Sequence, residues 1–143
     1  MSIVNNRKAH FDYHILEEYV AGVVLSGNEV KSIRQGNVTL LDSFVYLKDG
    51  EVWLKNFNIA RYKMAHPQST HDEHRDKKLL LSKKEISRIS RSLDDNGITC
   101  VPLSVFIKNN RIKIKIGIAR GKKNWDKRNS IKERDLKRES ERY

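Results

Sequence analysis

A chain of 143 residues with a single cysteine has the length for one domain that buries roughly 68% of its unfolded surface, so no disulfide staple is needed. No apolar run approaches the ~18 residues of a membrane span, and residues 1–15 lack the apolar stretch of a secretory signal, which makes a cytoplasmic protein the expectation. The formal charge of +11, from 29 Lys and Arg against 18 Asp and Glu, steers the molecule toward phosphate backbones.

Taken in chain order, period-two patterns outnumber helical ones. Asn6-Arg7-Lys8 is a small basic cluster before the first strand, suited to a frayed terminus or to RNA. Tyr13 to Tyr19 and Gly22 to Leu25 are β material around Ala21-Gly22. Asn28 to Gln35 makes a short helix that Gly36 stops. Phe44 to Leu47, Asp49-Gly50 and Val52 to Phe57 form a hairpin. From Asn58 to Lys78 runs a polar connection with little periodicity, long enough to be functional or mobile. Ser82 and Glu85 then make a capping box, Leu81 staples onto Ile86, and Ile86, Ile89 and Leu93 form one apolar stripe that ends at Asn96-Gly97. Lys84, Arg88 and Arg91 occupy the opposite face of that helix.

The last hairpin is the clearest. Leu103, Val105 and Ile107 lead into Asn109-Asn110, which tolerates positive φ. Ile112, Ile114, Ile116 and Ile118 then alternate with Lys113, Lys115 and Gly117, so the isoleucines face a core and the lysines face outward. Cys100 sits in an apolar run and is a small core residue rather than a nucleophile. Five or six strands at this spacing are barrel-like. Residues 120–143 form a basic tail with ten Lys or Arg against five Asp or Glu. Its few apolar groups, Trp125 among them, cannot offset the entropy of ordering it, so the free tail is expected to be disordered. A cationic arm with an aromatic ring suits RNA.

Catalytic constellations are weak by comparison. His66, His71 and His74 with Asp72 and Glu73 offer metal-ligand chemistry, but their spacing matches no closed site. There is no nucleophile elbow and no Gly-rich phosphate loop. The expectation is a protein that is not an enzyme and uses no cofactor or metal.

Several blocks occur together in a fixed order: Asn6-Arg7-Lys8-Ala9, Ala21-Gly22, Gly27-Asn28-Glu29-Val30-Lys31-Ser32, Asp42-Ser43-Phe44, Lys78-Leu79-Leu80-Leu81, Val101-Pro102-Leu103, Gly117-Ile118-Ala119-Arg120-Gly121-Lys122-Lys123 and Asp126-Lys127-Arg128. In order and spacing they closely resemble the SmpB family of SsrA-binding proteins, over nearly the whole chain. An RGKK run alone would be common in basic proteins.

The resemblance implies a mainly β fold, a closed antiparallel OB-like β-barrel with two or three embedded short helices over residues 1–119, followed by the flexible tail. It implies binding to the tRNA-like domain of transfer-messenger RNA and delivery to stalled ribosomes for trans-translation. The tail would enter the empty mRNA channel near the rRNA of the decoding centre, and the protein itself, a monomer off the membrane, would perform no chemistry. Carried over residue by residue, the RNA-facing set is Asn6, Arg7, Lys8, Glu29, Lys31, Ser32, Lys78, Leu80 and Ser82. The ribosome-facing tail set is Arg120, Gly121, Lys122, Lys123, Trp125, Asp126, Lys127 and Arg128. Glu29 cannot attract phosphate, and an ion pair orienting Lys31 is its expected role. Leu80 has two readings, against RNA or in the core. Trp125 stands where many relatives carry His or Tyr, and Val20 where some carry an acid. Two alternatives stand beside the family reading: a general RNA- or ribosome-binding OB-fold protein without rescue activity, and a metal-dependent nuclease built on the His66 to His74 segment.

Overall fold

The computed structural model describes residues 2–66 and 74–123. Among the described residues nine strands and three helices follow one another as β1 (Ser2–Asn5), α1 (Arg7–Asp12), β2 (Tyr13–Val23), α2 (Gly27–Arg34), β3 (Val38–Thr39), β4 (Phe44–Lys48), β5 (Glu51–Lys55), β6 (Asn58–Ile59), β7 (Lys77–Leu80), α3 (Lys83–Leu93), β8 (Ile98–Lys108) and β9 (Arg111–Gly121). The molecule is mainly β, as expected, and every pairing is antiparallel.

The strands form a ring. Sheet neighbours run β8-β4-β5-β7-β2-β9, and β9 pairs back onto β8, with β1 added along β8. Closure between β4 and β8 rests on the Val45–Cys100 pairing. The short β3 and β6 make a separate pair. The ring encloses the isoleucine face: Ile114 and Ile116 are fully buried and Ile112 and Ile118 nearly so. Each contributes about 1.5–3 kcal/mol by leaving water. Lys113 and Lys115 lie on the outer face, half exposed, and Lys115 Nζ stands 3.7 Å from Glu18. Cys100 is buried and free.

Local chemistry accounts for the turns. Asp49, Asn109 and Asn110 adopt positive φ (54°, 53° and 61°), the left-handed geometry that tight hairpins require and that Asp and Asn tolerate. Both Ser26 and Ser82 complete capping boxes, with Glu29 and Glu85. Pro102, which has no N–H to give a ladder, sits at a bulge between Pro102 and Ser104, where such a residue is tolerated.

The structure departs from the expected elements at several points. The two segments read from Tyr13 to Leu25 are one eleven-residue strand, β2, bulged between Ile15 and Glu17. Asn6-Arg7-Lys8 is neither frayed nor simply a cluster: Asn6 caps α1 by accepting the Ala9 N–H at 3.1 Å. The polar connection carries β6 within it, and β7 begins at its last two residues. The 119/120 boundary falls inside β9, which continues to Gly121, and beyond it the Lys122 N–H donates to the Asp12 carbonyl at 2.8 Å. No helix among the described residues is long and apolar enough to cross a membrane.

Candidate RNA interface

The β2–β9 ribbon sets the geography of the surface. Tyr13 pairs with Gly121 at one end and Gly22 with Lys113 at the other. Nine residues at about 3.3 Å each separate those ends by about 30 Å. The residues expected to face RNA divide between the two halves of the molecule.

In the first half, α1 runs from the middle of β8 toward the end of β9. The Asn6 side chain donates to the Pro102 carbonyl at 2.8 Å while it caps α1, so it positions Arg7 and Lys8 and is itself occupied. Arg7 and Lys8 are exposed, and Lys8 Nζ lies 3.8 Å from Asp42. Lys8, Asp12, Phe44 and Asp42 line an open cleft of about 290 Å³. Lys122 reaches α1 as well, its Nζ donating to the His10 carbonyl at 3.3 Å. Of the tail set, Arg120 and Gly121 close β9, and Lys122 and Lys123 follow it; Trp125, Asp126, Lys127 and Arg128 lie outside the described residues.

In the second half, α2, β7 and the start of β9 converge. Lys31 is exposed and its Nζ lies over the Tyr62 ring, 5.4 Å from the centroid, an attraction that restrains the ammonium without neutralising it. Lys78 Nζ is 3.6 Å from Glu51, with both side chains well exposed, so that pair is weak and exchangeable. Leu79 points into the core, whereas Leu80 is 52% exposed. The alternation along β7 thus turns Leu80 outward and excludes the core reading. Gly22 lies opposite it, and a Cβ there would stand 3.3 Å from that of Leu80.

Two further members of the expected set are buried, and a third, Ser82, is an exposed helix cap. Ser32 is fully buried, its hydroxyl without a partner among the described residues. Ser82 is engaged as the α3 cap, accepting the Glu85 N–H at 3.2 Å. Glu29 is 3% exposed. The ion pair expected to orient Lys31 is not formed; Glu29 pairs with Arg75 instead, because its carboxylate turns inward to cap α2 and the chain entering β7 brings a guanidinium to it. Arg75 and Tyr62 gave no signal in the sequence, since both lie in the aperiodic connection and act only through non-local contacts.

Of the five residues with metal-ligand chemistry, His71, Asp72 and Glu73 lie outside the described residues. His74 Nδ1 is 3.1 Å from Asn58 Oδ1. Among the described residues no group of three or more His, Cys, Asp or Glu comes together.

Comparison with known proteins places the chain in a family. The sequence model of a family described as SmpB protein matches residues 3–143. The SsrA-binding protein of Sulfurihydrogenibium sp. is 50% identical over 139 residues, covering 97% of this chain and 91% of that protein. That of Thermosynechococcus vestitus is 49% identical over 137 residues, covering 96% and 90%. A solved structure described as "tmRNA-SmpB: a journey to the center of the bacterial ribosome" superposes with a TM-score of 0.70 at 42% identity, covering 85% of each chain.

Proposed function

Because the chain belongs to the SmpB protein family, we propose that it binds the tRNA-like domain of transfer-messenger RNA and accompanies it to stalled ribosomes for trans-translation. The observation that carries this reading is the family match from residue 3 to residue 143, which spans both halves of the surface at once. The relatives named SsrA-binding protein and the solved tmRNA-SmpB structure support both partners.

The chemistry of the surface fits the role. Lys31 and Lys78 present cations that touch phosphates without reading sequence, and Leu80 offers an apolar contact beside them, which suits a folded RNA recognised by shape. The ring of strands acts as an OB-like barrel that holds the RNA, and residues 124–143 act on the ribosome, in the empty mRNA channel near the decoding centre. The protein is a cytoplasmic monomer in this reading and contributes binding and placement, while the ribosome performs the chemistry.

The test is a binding competition. Purified protein should retain the tRNA-like domain against an excess of bulk RNA, and transfer-messenger RNA should copurify with it. Equal affinity for both RNAs would leave a general RNA-binding protein without rescue activity.

A further inference from the structure

Asn109 and Asn110 join β8 to β9 as a two-residue turn, both at positive φ, and such turns fix strand register. That register sets Lys108 directly opposite Arg111. Like charges facing one another across a ladder are destabilising. The other two-residue hairpin places Lys48 opposite Glu51, the favourable arrangement. None of the ion pairs among the described residues includes Lys108 or Arg111.

Two further features converge on this turn. Arg34, in the last turn of α2, donates from Nη2 to the Asn110 carbonyl at 3.1 Å, which fixes the turn against the helix and adds a third cation. Beside it opens a cleft of about 280 Å³, lined by Val30, Leu80 and Ile112 together with Asn110, Arg111 and Lys113. An apolar cleft with a cationic rim matches a ribose or base whose flanking phosphates meet the rim.

We propose that the β8–β9 turn is a phosphate-binding element for RNA, in which Lys108 and Arg111 contact adjacent phosphates, Arg34 holds the turn in place, and Leu80 packs against the nucleotide between them. The repulsion between Lys108 and Arg111 in the free protein is relieved when the backbone binds. This rests on the proposed RNA-binding function and adds Lys108, Arg111 and Arg34 to it, beside Leu80 of the carried-over set.

Lys108→Glu in the full chain separates a binding role from a structural one. It turns two facing cations into an ion pair across the turn, so the thermal midpoint should hold or rise. In the complex it removes a phosphate contact and sets a carboxylate against the backbone. Affinity for the tRNA-like domain should fall about tenfold, and the slope of log affinity against log salt should shrink by about 0.7–0.9. Arg111→Glu should behave likewise, whereas Lys48→Glu, at the matching position of the other hairpin, should change affinity less than about twofold. The proposal is overturned if Lys108→Glu and Lys48→Glu give the same affinity and slope, or if affinity falls only as far as stability does. Intact RNA binding with lost ribosome association would also overturn it, by giving the turn to another partner. A wild-type protein that fails to prefer the tRNA-like domain overturns the functional reading too; selective wild-type binding with an indifferent Lys108→Glu overturns this inference alone.

Discussion

Arg75 meets Glu29 across 46 positions of sequence, and a single carboxylate oxygen of Glu29 takes both that guanidinium and the Ser26 backbone N–H at 2.8 Å. One atom therefore closes the cap of α2 and ties the helix to the segment leading into β7, the two elements that carry Lys31 and Lys78. Arg75→Ala should strand a nearly buried charge and cost about 1–3 kcal/mol. Glu29→Gln retains an oxygen for the cap and loses the charge. In urea unfolding the double variant should lose less than the sum of the two; additive losses would mean that the pair contributes nothing as a pair.

Charge reversal at Lys31 or Lys78 should weaken the RNA complex more than reversal at Lys48, and each should reduce the salt slope by about 0.7–0.9. Lys31 is held over Tyr62 with its charge intact, whereas Lys48 flanks a turn opposite Glu51. Filter binding across a salt series measures this. Equal losses at all three positions would reduce recognition to diffuse charge.

Gly117 tests the second, smaller apolar cluster, in which Leu103 packs with Ile15 on the face of β9 opposite the isoleucines. A Cβ there would stand 2.9 Å from Leu103 Cδ1 and 3.1 Å from Ile15 Cγ2. Gly117→Ala should therefore destabilise by about 1–3 kcal/mol through overpacking. Adding Leu103→Ala, which removes the closest contact and leaves Ile15 Cγ2 at 3.1 Å, should reduce the cost of the alanine at 117 without abolishing it. A thermal midpoint unchanged by Gly117→Ala alone would show that Leu103 moves aside without cost.

What the sequence made legible was local. The isoleucine alternation of β9, the capping box of α3 and the Asp49-Gly50 and Asn109-Asn110 turns each rest on neighbouring residues, and each stands where expected. β1 and the β3–β6 pair were missed because their partners are distant: Ser2 pairs with Phe106 and Val38 with Ile59. α1 was missed although its Asn6 cap is local, because six residues with Ala9 alone buried show no apolar stripe. In the site the cations were legible as charge, but the orientation of Glu29 depended on Arg75. Lys108 and Arg111 were visible as two cations bracketing Asn-Asn; only the register sets them face to face.

The protons of Tyr46 and Cys100 give the protein an alkaline limit. The Tyr46 hydroxyl donates to Asp76 at 2.6 Å, and that bond, followed by burial, raises its pKa from 10.0 to about 12. Burial raises the Cys100 thiol from 9.0 to about 12. The unfolded chain releases both protons at the lower values while the folded chain keeps them, so the folded state binds more protons and stability falls as pH rises through this window. Urea midpoints should decline from about pH 9 to about pH 12, and Tyr46→Phe should flatten the upper part of that decline. An unaltered decline in Tyr46→Phe would show that the bond to Asp76 does not hold the proton.

Where the chain is cut should separate folding from rescue. β9 carries Ile118 and Ala119 into the core at 2% and 0% exposure, and Lys122 closes against α1. A truncation after Gly117 removes both core residues and their ladder bonds to β2 and β8, so it should unfold the protein and lose RNA binding with it. A truncation after Lys123 leaves every described element in place. It should retain the tRNA-like domain with nearly wild-type affinity and fail to tag peptides on stalled ribosomes. Trp125→Ala in the full chain then isolates one ring: loss of a base stack costs on the order of 1–3 kcal/mol, so tagging should fall while RNA affinity holds. If the chain cut after Lys123 binds RNA poorly although it unfolds at the wild-type temperature, residues 124–143 belong to the RNA site, and the division of labour between the strand ring and the tail is wrong.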